Sequence, residues 1–293
     1  MTLRAKRVAR RAQGGVALLL VLWASTLLAI LLGGYAMLAR TEGLQARYQF
    51  AQTQAHYAAE AGLMRALYGL SDPQPRQRWI GDGRTYTFQF EGANVQIAAV
   101  DEGGKVDLNA AGPEVLRNLF VAAGLSPQAA QQLDERILDW RRPGGFVGPL
   151  TTGGDAYAAA GRPYGPRHAP FASIEEVQMV LGMTPALYRR VASVLTIWSS
   201  NTNPDPNTAP PLVLQSLPGL TAAQIQMLRE ARLKNAADPS LVLNNGTTHS
   251  IESAATLADG TRAVLRATIR MRAQQGAAQP YEVLRWQEGG HDD

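Results

Sequence analysis

Gly14-Gly15-Val16-Ala17-Leu18-Leu19-Leu20-Val21-Leu22-Trp23 opens an uncharged, Leu-rich stretch that runs on to Ala39, and its reading decides the fold. Five basic residues and no acid precede it, at Arg4, Lys6, Arg7, Arg10 and Arg11. As helix, Val16 to Ala39 measures roughly 36 Å, enough to cross a hydrocarbon core of about 30 Å with some tilt. The basic excess holds the N-terminal end in the cytoplasm and sends the remaining chain across the membrane. A cleaved secretory signal has a shorter apolar core and a small-x-small site after it, and Leu31-Leu32-Gly33-Gly34-Tyr35-Ala36 is only a fair one. A plain signal anchor also accounts for the stretch. Read as an anchor, the stretch leaves the body after it exported on a single membrane span.

The helical pattern does not stop at the membrane. After Arg40, apolar or small residues recur at Leu44, Tyr48, Ala51, Ala55, Ala58, Gly62 and Ala66, in steps of four and three, which is one face of an amphipathic helix. Ser71-Asp72-Pro73 and Pro75 end it after about Leu70. One helix from Val16 to Leu70 would be roughly 80 Å long. An anchor joined to an unrelated helix would need a break near Gly33-Gly34 or Gly43.

Composition narrows the chemistry open to the exported body. Outside residues 1–15 the chain carries 23 basic residues against 24 acidic, so the high isoelectric point belongs to the basic leader and is no sign of nucleic-acid binding. There is no Cys, which excludes disulfides, thiolate zinc sites and a Cys nucleophile.

Beyond the helix the period changes. Thr85-Tyr86-Thr87-Phe88-Gln89-Phe90 alternates, Asn94 to Val100 is β-rich, and Glu91-Gly92-Ala93-Asn94 between them reads as a hairpin turn. From about Val106 to Lys234 the pattern is helical with Pro-, Gly- and Ser-rich joints. It returns to strand over Ser250–Leu257, Ala263–Arg272 and Tyr281–Trp286. Strands, a helical block and strands again predict a helical domain inserted into a sheet.

The block holds an internal repeat. Gly124-Leu125-Ser126-Pro127, Gly182-Met183-Thr184-Pro185 and Gly219-Leu220-Thr221-Ala222 each follow an apolar helix and place a Ser or Thr cap before the next one. The first and third copies are preceded by similar runs, Val106-Asp107-Leu108-Asn109-Ala110-Ala111 and Asp205-Pro206-Asn207-Thr208-Ala209. Three helix–turn–helix hairpins suggest the helix-hairpin-helix DNA module. That module usually needs a second Gly after the apolar residue, where this chain has Ser126, Thr184 and Thr221. A packing role as a SAM-like bundle is the favoured reading, with no nucleic-acid partner.

Gly15-Val16-Ala17-Leu18-Leu19-Leu20 resembles the signal of type IV pilins and type II secretion pseudopilins, in which a prepilin peptidase cuts after the glycine and methylates the new N-terminus, here Val16. Together with Asp101-Glu102-Gly103-Gly104-Lys105-Val106-Asp107-Leu108-Asn109-Ala110-Ala111, Leu138-Asp139-Trp140-Arg141 and Ala169-Pro170-Phe171-Ala172-Ser173-Ile174-Glu175-Glu176-Val177, the chain resembles the K-type minor pseudopilins. Asn207-Thr208-Ala209 and Leu217-Pro218-Gly219-Leu220 extend the likeness into the second half. The resemblance implies an α+β fold: a pilin-like long N-terminal helix packed on an antiparallel sheet, with a large inserted α-helical domain. The corresponding division is a leader 1–15, a membrane-spanning helix 16–39, the rest of that helix and first strands 40–105, the insert 106–240 and closing strands 241–293. It also implies a place at the tip of a periplasmic pseudopilus, anchored in the bacterial inner membrane. The implied partners are I-, J- and H-type minor pseudopilins, the prepilin peptidase and the inner-membrane assembly platform, with secreted substrates as further contacts. Most pseudopilins carry Glu at the fifth mature position; counted from Val16 that position is Leu20, and K-type members lack this Glu.

The resemblance further implies a calcium-binding stretch after the Asp-Trp motif. Calcium takes six to eight oxygens, and between Asp139 and Ser173 only Asp155 joins Asp139 as a carboxylate, so calcium at Asp139 and Asp155 stays an open reading. No catalytic constellation stands out: His56 falls on the long helix, His168 and His249 in loops, His291 in the tail, and no enzyme is expected. Trp79, Trp140, Trp198 and Trp286 read as core. A membrane-anchored DNA receptor and a type IV pilus minor pilin are the alternatives.

Overall fold

The computed structural model describes residues 14–144, 153–237, 246–272 and 280–289. Helix α1 spans Gly14–Leu70 and passes Gly33-Gly34 and Gly43 without a break. Two compact units divide the chain, Met1–Gln54 and Ala55–Asp293. In the first, the described side chains of α1 before Ala51 lie open, from Val16 through Leu44 to Phe50. The hydroxyls of Ser25 and Thr26 donate to Leu22 O (2.9 and 2.8 Å), and that of Thr41 to Met37 O (2.9 Å). Polar groups satisfied within their own helix suit an apolar surrounding.

The second unit begins with the tail of α1 and seven strands: β1 (Asp82–Phe90), β2 (Ala93–Asp101), β3 (Val106–Asp107), β4 (Leu195–Thr196), β5 (Thr248–Thr256), β6 (Arg262–Met271) and β7 (Tyr281–Glu288). Five of them form one antiparallel sheet in the order β1-β2-β5-β6-β7. Glu91 (φ 45°) and Gly92 (φ 80°) are both left-handed, as a two-residue hairpin turn requires, and they join β1 to β2. Ala93, Val95, Ile97 and Ala99 of β2 alternate onto the face that α1 covers with Ala58, Ala59, Leu63 and Ala66. Small residues allow a close approach here: a Cβ on Gly62 would run into Ser253 Oγ and Val95 Cγ1. Burial on α1 starts at Ala55, so Leu44 and Tyr48, which share its sequence period, are exposed. The helix ends where Trp79 donates from its backbone to Gly69 O (2.8 Å) and stacks on Tyr86.

Neighbouring strands β2 and β5 pair from Asn94↔Thr256 to Asp101↔His249, yet the chain between them leaves the sheet and returns. That excursion carries α2 (Pro113–Ala122), α3 (Pro127–Arg141), α4 (Gly153–Ala159), α5 (Pro185–Val191), α6 (Pro211–Leu214) and α7 (Ala222–Ala237), with its own core around Trp140, Phe120, Leu116, Leu119 and Ile137. The short strands β3 and β4 pair in parallel inside it, a feature the helical reading of 106–234 did not contain.

All three predicted hairpin glycines are left-handed, Gly124 at φ 101°, Gly182 at 94° and Gly219 at 78°. Ser126 Oγ accepts from Ala129 N (3.3 Å), Thr184 Oγ1 from Leu187 N (3.2 Å) and Thr221 Oγ1 from Gln224 N (3.3 Å). Gln224 answers by accepting from Thr221 N (2.8 Å), which completes a capping box. The elements before the turns differ more than expected: only α2 is a full helix, a six-residue 3-10 turn (Ile174–Met179) precedes Gly182, and α6 is four residues long. Prolines at 210 and 211 leave α6 only one turn before Leu217-Pro218 stops it.

Two aromatic readings need correction. Trp140 is core, but Trp286 lies exposed on the edge strand β7, and Trp198 is half-buried. His249 belongs to β5 and is buried, not in a loop, because β5 starts two residues earlier than its alternation suggested.

Candidate membrane anchor and the knot of the helical insert

α1 is long and apolar enough from Val16 onward to cross a membrane. Gly15 and Val16 stand in its first turn, while the basic residues from Arg4 to Arg11 lie outside the described residues. Leu20 puts an exposed apolar side chain on the early turns of α1.

The second site is where the sequence motifs of the insert converge. Asp107 Oδ1 accepts from Asn109 N (2.8 Å) and Ala110 N (3.2 Å), and its Oδ2 accepts from Ser200 N (2.8 Å) and Ser199 Oγ (3.2 Å). The Asn109 side chain reads the backbone of Phe171 in both directions, accepting from its N–H (2.7 Å) and donating to its carbonyl (3.1 Å). Phe171 stacks on Trp140, whose Nε1 donates to Glu176 Oε1 (2.9 Å). Burial pushes the Glu176 carboxyl up, but hydrogen bonds from Ala172 N, Trp140 and Arg167 outweigh it and hold the group below the usual range. The arrangement is structural cross-linking, with the Asp107, Asn109 and Glu176 side chains engaged by the protein itself.

Arginines close this knot from both ends. Arg141 donates to Leu108 O (2.8 Å) and Ala111 O (2.7 Å). Arg232 does the same to Pro206 O (2.6 Å) and Ala209 O (2.7 Å), at the matching places of the second Asp-x-Asn turn, where Asp205 Oδ1 accepts from Asn207 N (2.9 Å). The repeat in sequence is thus a repeat in contacts. Two further arginines are exchanged between hairpins: Arg190 donates to Ala123 O beside Gly124 (3.0 Å), and Arg136 to Leu181 O beside Gly182 (3.1 Å). Basic side chains near those turns are therefore spent on carbonyls within the protein, which speaks against a phosphate-binding use of the hairpins. Arg141→Met should lower stability by about 2 kcal/mol, because two part-buried carbonyls lose their charged donor. Urea unfolding of the detergent-solubilised chain will measure it, and Arg162→Met, at an exposed position outside the knot, should change little.

Of the two candidate metal residues, only Asp139 has a described side chain. Asp139 is 8% exposed and sits beside His168, whose Nδ1 is 3.2 Å from Asp139 O and 3.9 Å from Oδ1. Asp155 is in α4, with its side chain outside the described residues. Among the described residues no group of three or more His, Asp or Glu is placed to hold an ion. His56 lies on α1, and His291 falls outside the described residues. A cleft of about 360 Å³ opens on the sheet face away from α1, floored by Ser250 and Thr268. Its basic residues Lys105, Arg266 and Arg285 pair with Glu102, Glu252 and Glu175, so the cleft carries no excess of charge.

Residues 94–200, from β2 through the knot, match the family model of type II secretion system protein K. Over this stretch the chain is similar to the type II secretion system protein K family. The K-type resemblance read from the sequence therefore holds, and so does the pilin-like α+β fold. A chain in the solved GspK-GspI-GspJ complex of the enterotoxigenic Escherichia coli Type 2 Secretion System is similar in fold, with a TM-score of 0.59 at 15% identity, covering 84% of this chain and 99% of that one. A comparison with curated protein sequences found no match. The K-type stretch ends at Ser200, just after β4 and before the second Asp-x-Asn turn, so the recognised segment holds the first half of the contact repeat. What sequence reasoning missed is the set of arginine-to-carbonyl ties; the recurrence of Asp-x-Asn was the one available signal.

Proposed function

We propose that this K-type minor pseudopilin sits at the tip of the pseudopilus, where it helps start assembly of the filament and takes part in protein export across the outer membrane. The observation that carries the reading is the pairing of a K-type insert with a membrane-length α1 that has Leu20 at its fifth mature position. A subunit without that carboxylate cannot satisfy a neighbour's terminal amine in lipid, so it suits the end of a filament and not its middle. The bulk of the insert favours the same end. Basic residues before Val16 orient α1 with its N-terminus in the cytoplasm and the body in the periplasm, anchored in the inner membrane. The complex whose chain shares this fold contains GspI and GspJ, and I- and J-type pseudopilins are the proposed neighbours here, with an H-type subunit, the assembly platform and secreted proteins beyond them.

Co-purification of the full chain with I- and J-type pseudopilins from membranes tests this. A stable heteromeric complex is expected, and long homopolymeric filaments of this chain alone in electron micrographs would rule the tip assignment out. Processing supplies a second check. We propose cleavage between Gly15 and Val16 by prepilin peptidase, followed by N-methylation of Val16. Mass spectrometry of the extracted protein should show a methylated Val16 start, and Gly15→Leu should leave the leader in place, since a side chain there obstructs the scissile bond. An intact N-terminus in the presence of active peptidase excludes that cut.

A further inference from the structure

Four segments meet around Asp101 where the insert leaves and re-enters the sheet. Asp101 ends β2, is 2% exposed, and caps the 3-10 turn Glu102–Gly104 by accepting from Gly103 N (2.8 Å). Its own N–H donates to Gly81 O (2.8 Å) at the entry to β1. The returning chain lies against it: Gly246 (φ 65°) has no room for a Cβ because the Asp101 carboxyl occupies that place. From the insert, Asp205 N donates to Gly103 O (2.8 Å). The Thr208 hydroxyl is buried beside the carboxyl and favours its charged form.

The charged neighbours make this an awkward place for an anion. Glu102, on the same turn, is buried and paired with Lys105 (2.5 Å). Asp205 faces Asp101 from the insert, with Arg232 behind it and Asp82 near that arginine. His249 is the cross-strand partner on β5. Burial, reinforced by Asp205 and Glu102 and opposed by Gly103 N–H and Thr208, pushes the Asp101 carboxyl up to about 6.

We propose that Asp101 is a proton-operated latch at the neck of the insert: with the carboxyl neutral the four segments close on it, and with the carboxyl ionised they loosen. The sign follows from linkage. A carboxyl harder to ionise in the closed neck than in the open one favours closure at low pH and loses that contribution as pH rises through about 6. Against an open-state value near 3.9, the opening constant should rise about tenfold between about pH 5 and about pH 7.5. The latch does not depend on the assembly reading above.

Hydrogen exchange of the full-length protein in detergent micelles, followed by mass spectrometry, reads the neck directly. Peptides covering β2, the Asp205–Ala209 turn and the start of β5 should exchange about tenfold faster at the higher pH, after correction for intrinsic rates. Asp101→Asn should remove that dependence, and His249→Gln should keep it. A wild-type neck without the dependence, an Asn variant that retains it, or a Gln variant that loses it overturns the latch. If Asp101→Asn does not fold, Thr208→Val decides: loss of a donor to the carboxylate should move the midpoint to higher pH, and an unmoved midpoint counts against the proposal.

Discussion

Gly104→Ala is expected to cost about 3 kcal/mol of stability. A Cβ at Gly104 would lie 2.5 Å from Thr208 C, 2.6 Å from Thr208 O and 2.7 Å from Ala209 N. All three are backbone atoms in a turn that Asp205 and Arg232 hold from both sides, so no flexible side chain can swing away. Relief requires moving the Pro204–Ala209 segment off the 3-10 turn, which breaks the Asp205 N to Gly103 O bond. Gly43→Ala is the matched control, with open space around its Cβ position on exposed helix, and should be neutral or stabilising by up to about 1 kcal/mol. Thermal unfolding followed by circular dichroism will compare the two. A loss below about 1 kcal/mol for the first would mean that the neck adapts.

Asp134→Asn should act in the other direction, and only at higher pH. Asp134 in α3 is 1% exposed, its Oδ1 has no hydrogen-bond partner, and its Oδ2 lies 3.5 Å from Arg117 Nη2. Burial pushes its carboxyl up to about 6, against the partial help of Arg117. With the folded value raised, the stabilising contribution is complete below the unfolded value near 3.9, is lost as pH rises toward 6, and stays lost above it. The Asn variant has no such charge to bury and should gain about 2 kcal/mol over wild type at about pH 8, with little or no gain at about pH 4. Asp82, Glu175 and Glu176 are held below their usual range and work oppositely, losing stability as pH falls through their folded values. Wild-type stability should therefore peak between the two regimes, near pH 5. Equal stability of Asp134→Asn and wild type across that range would exclude an ionised Asp134 in the core.

The features legible in the sequence were those where one residue type is forced by backbone geometry or by solvent. Gly92, Gly124, Gly182 and Gly219 mark turns because left-handed backbone excludes most side chains, and the uncharged Val16–Ala39 stretch marks its own surroundings. Periodicity gave the phase of α1 but not the extent of its burial, since Leu44 and Ala58 look alike until the sheet is in place. Alternation likewise could not separate a central strand from an edge, which is why Trp286 read as core. The arginine ties were hidden for a different reason. Arg141 and Arg190 contact carbonyls, which every residue carries, so their partners leave no trace in side-chain identity. Nothing in the sequence marks Asp134 out from the other acids of α3, and only the packing of α2 over it makes it unusual.

Because β2 and β5 are direct neighbours, the whole helical insert is topologically a hairpin loop. Closing a flexible loop as long as the one from Asp101 to His249 costs about 4 kcal/mol in chain entropy, against a small fraction of that for a two-residue turn. The central strand pair of the sheet is thus its most non-local contact and is kinetically disfavoured while the loop is unstructured. The hairpins of the insert are short-range and capped at their own turns, so they can form first and bring the two ends together. The sheet's order of assembly would then be set from outside it, with the β1-β2 and β5-β6-β7 halves waiting on the helices between them.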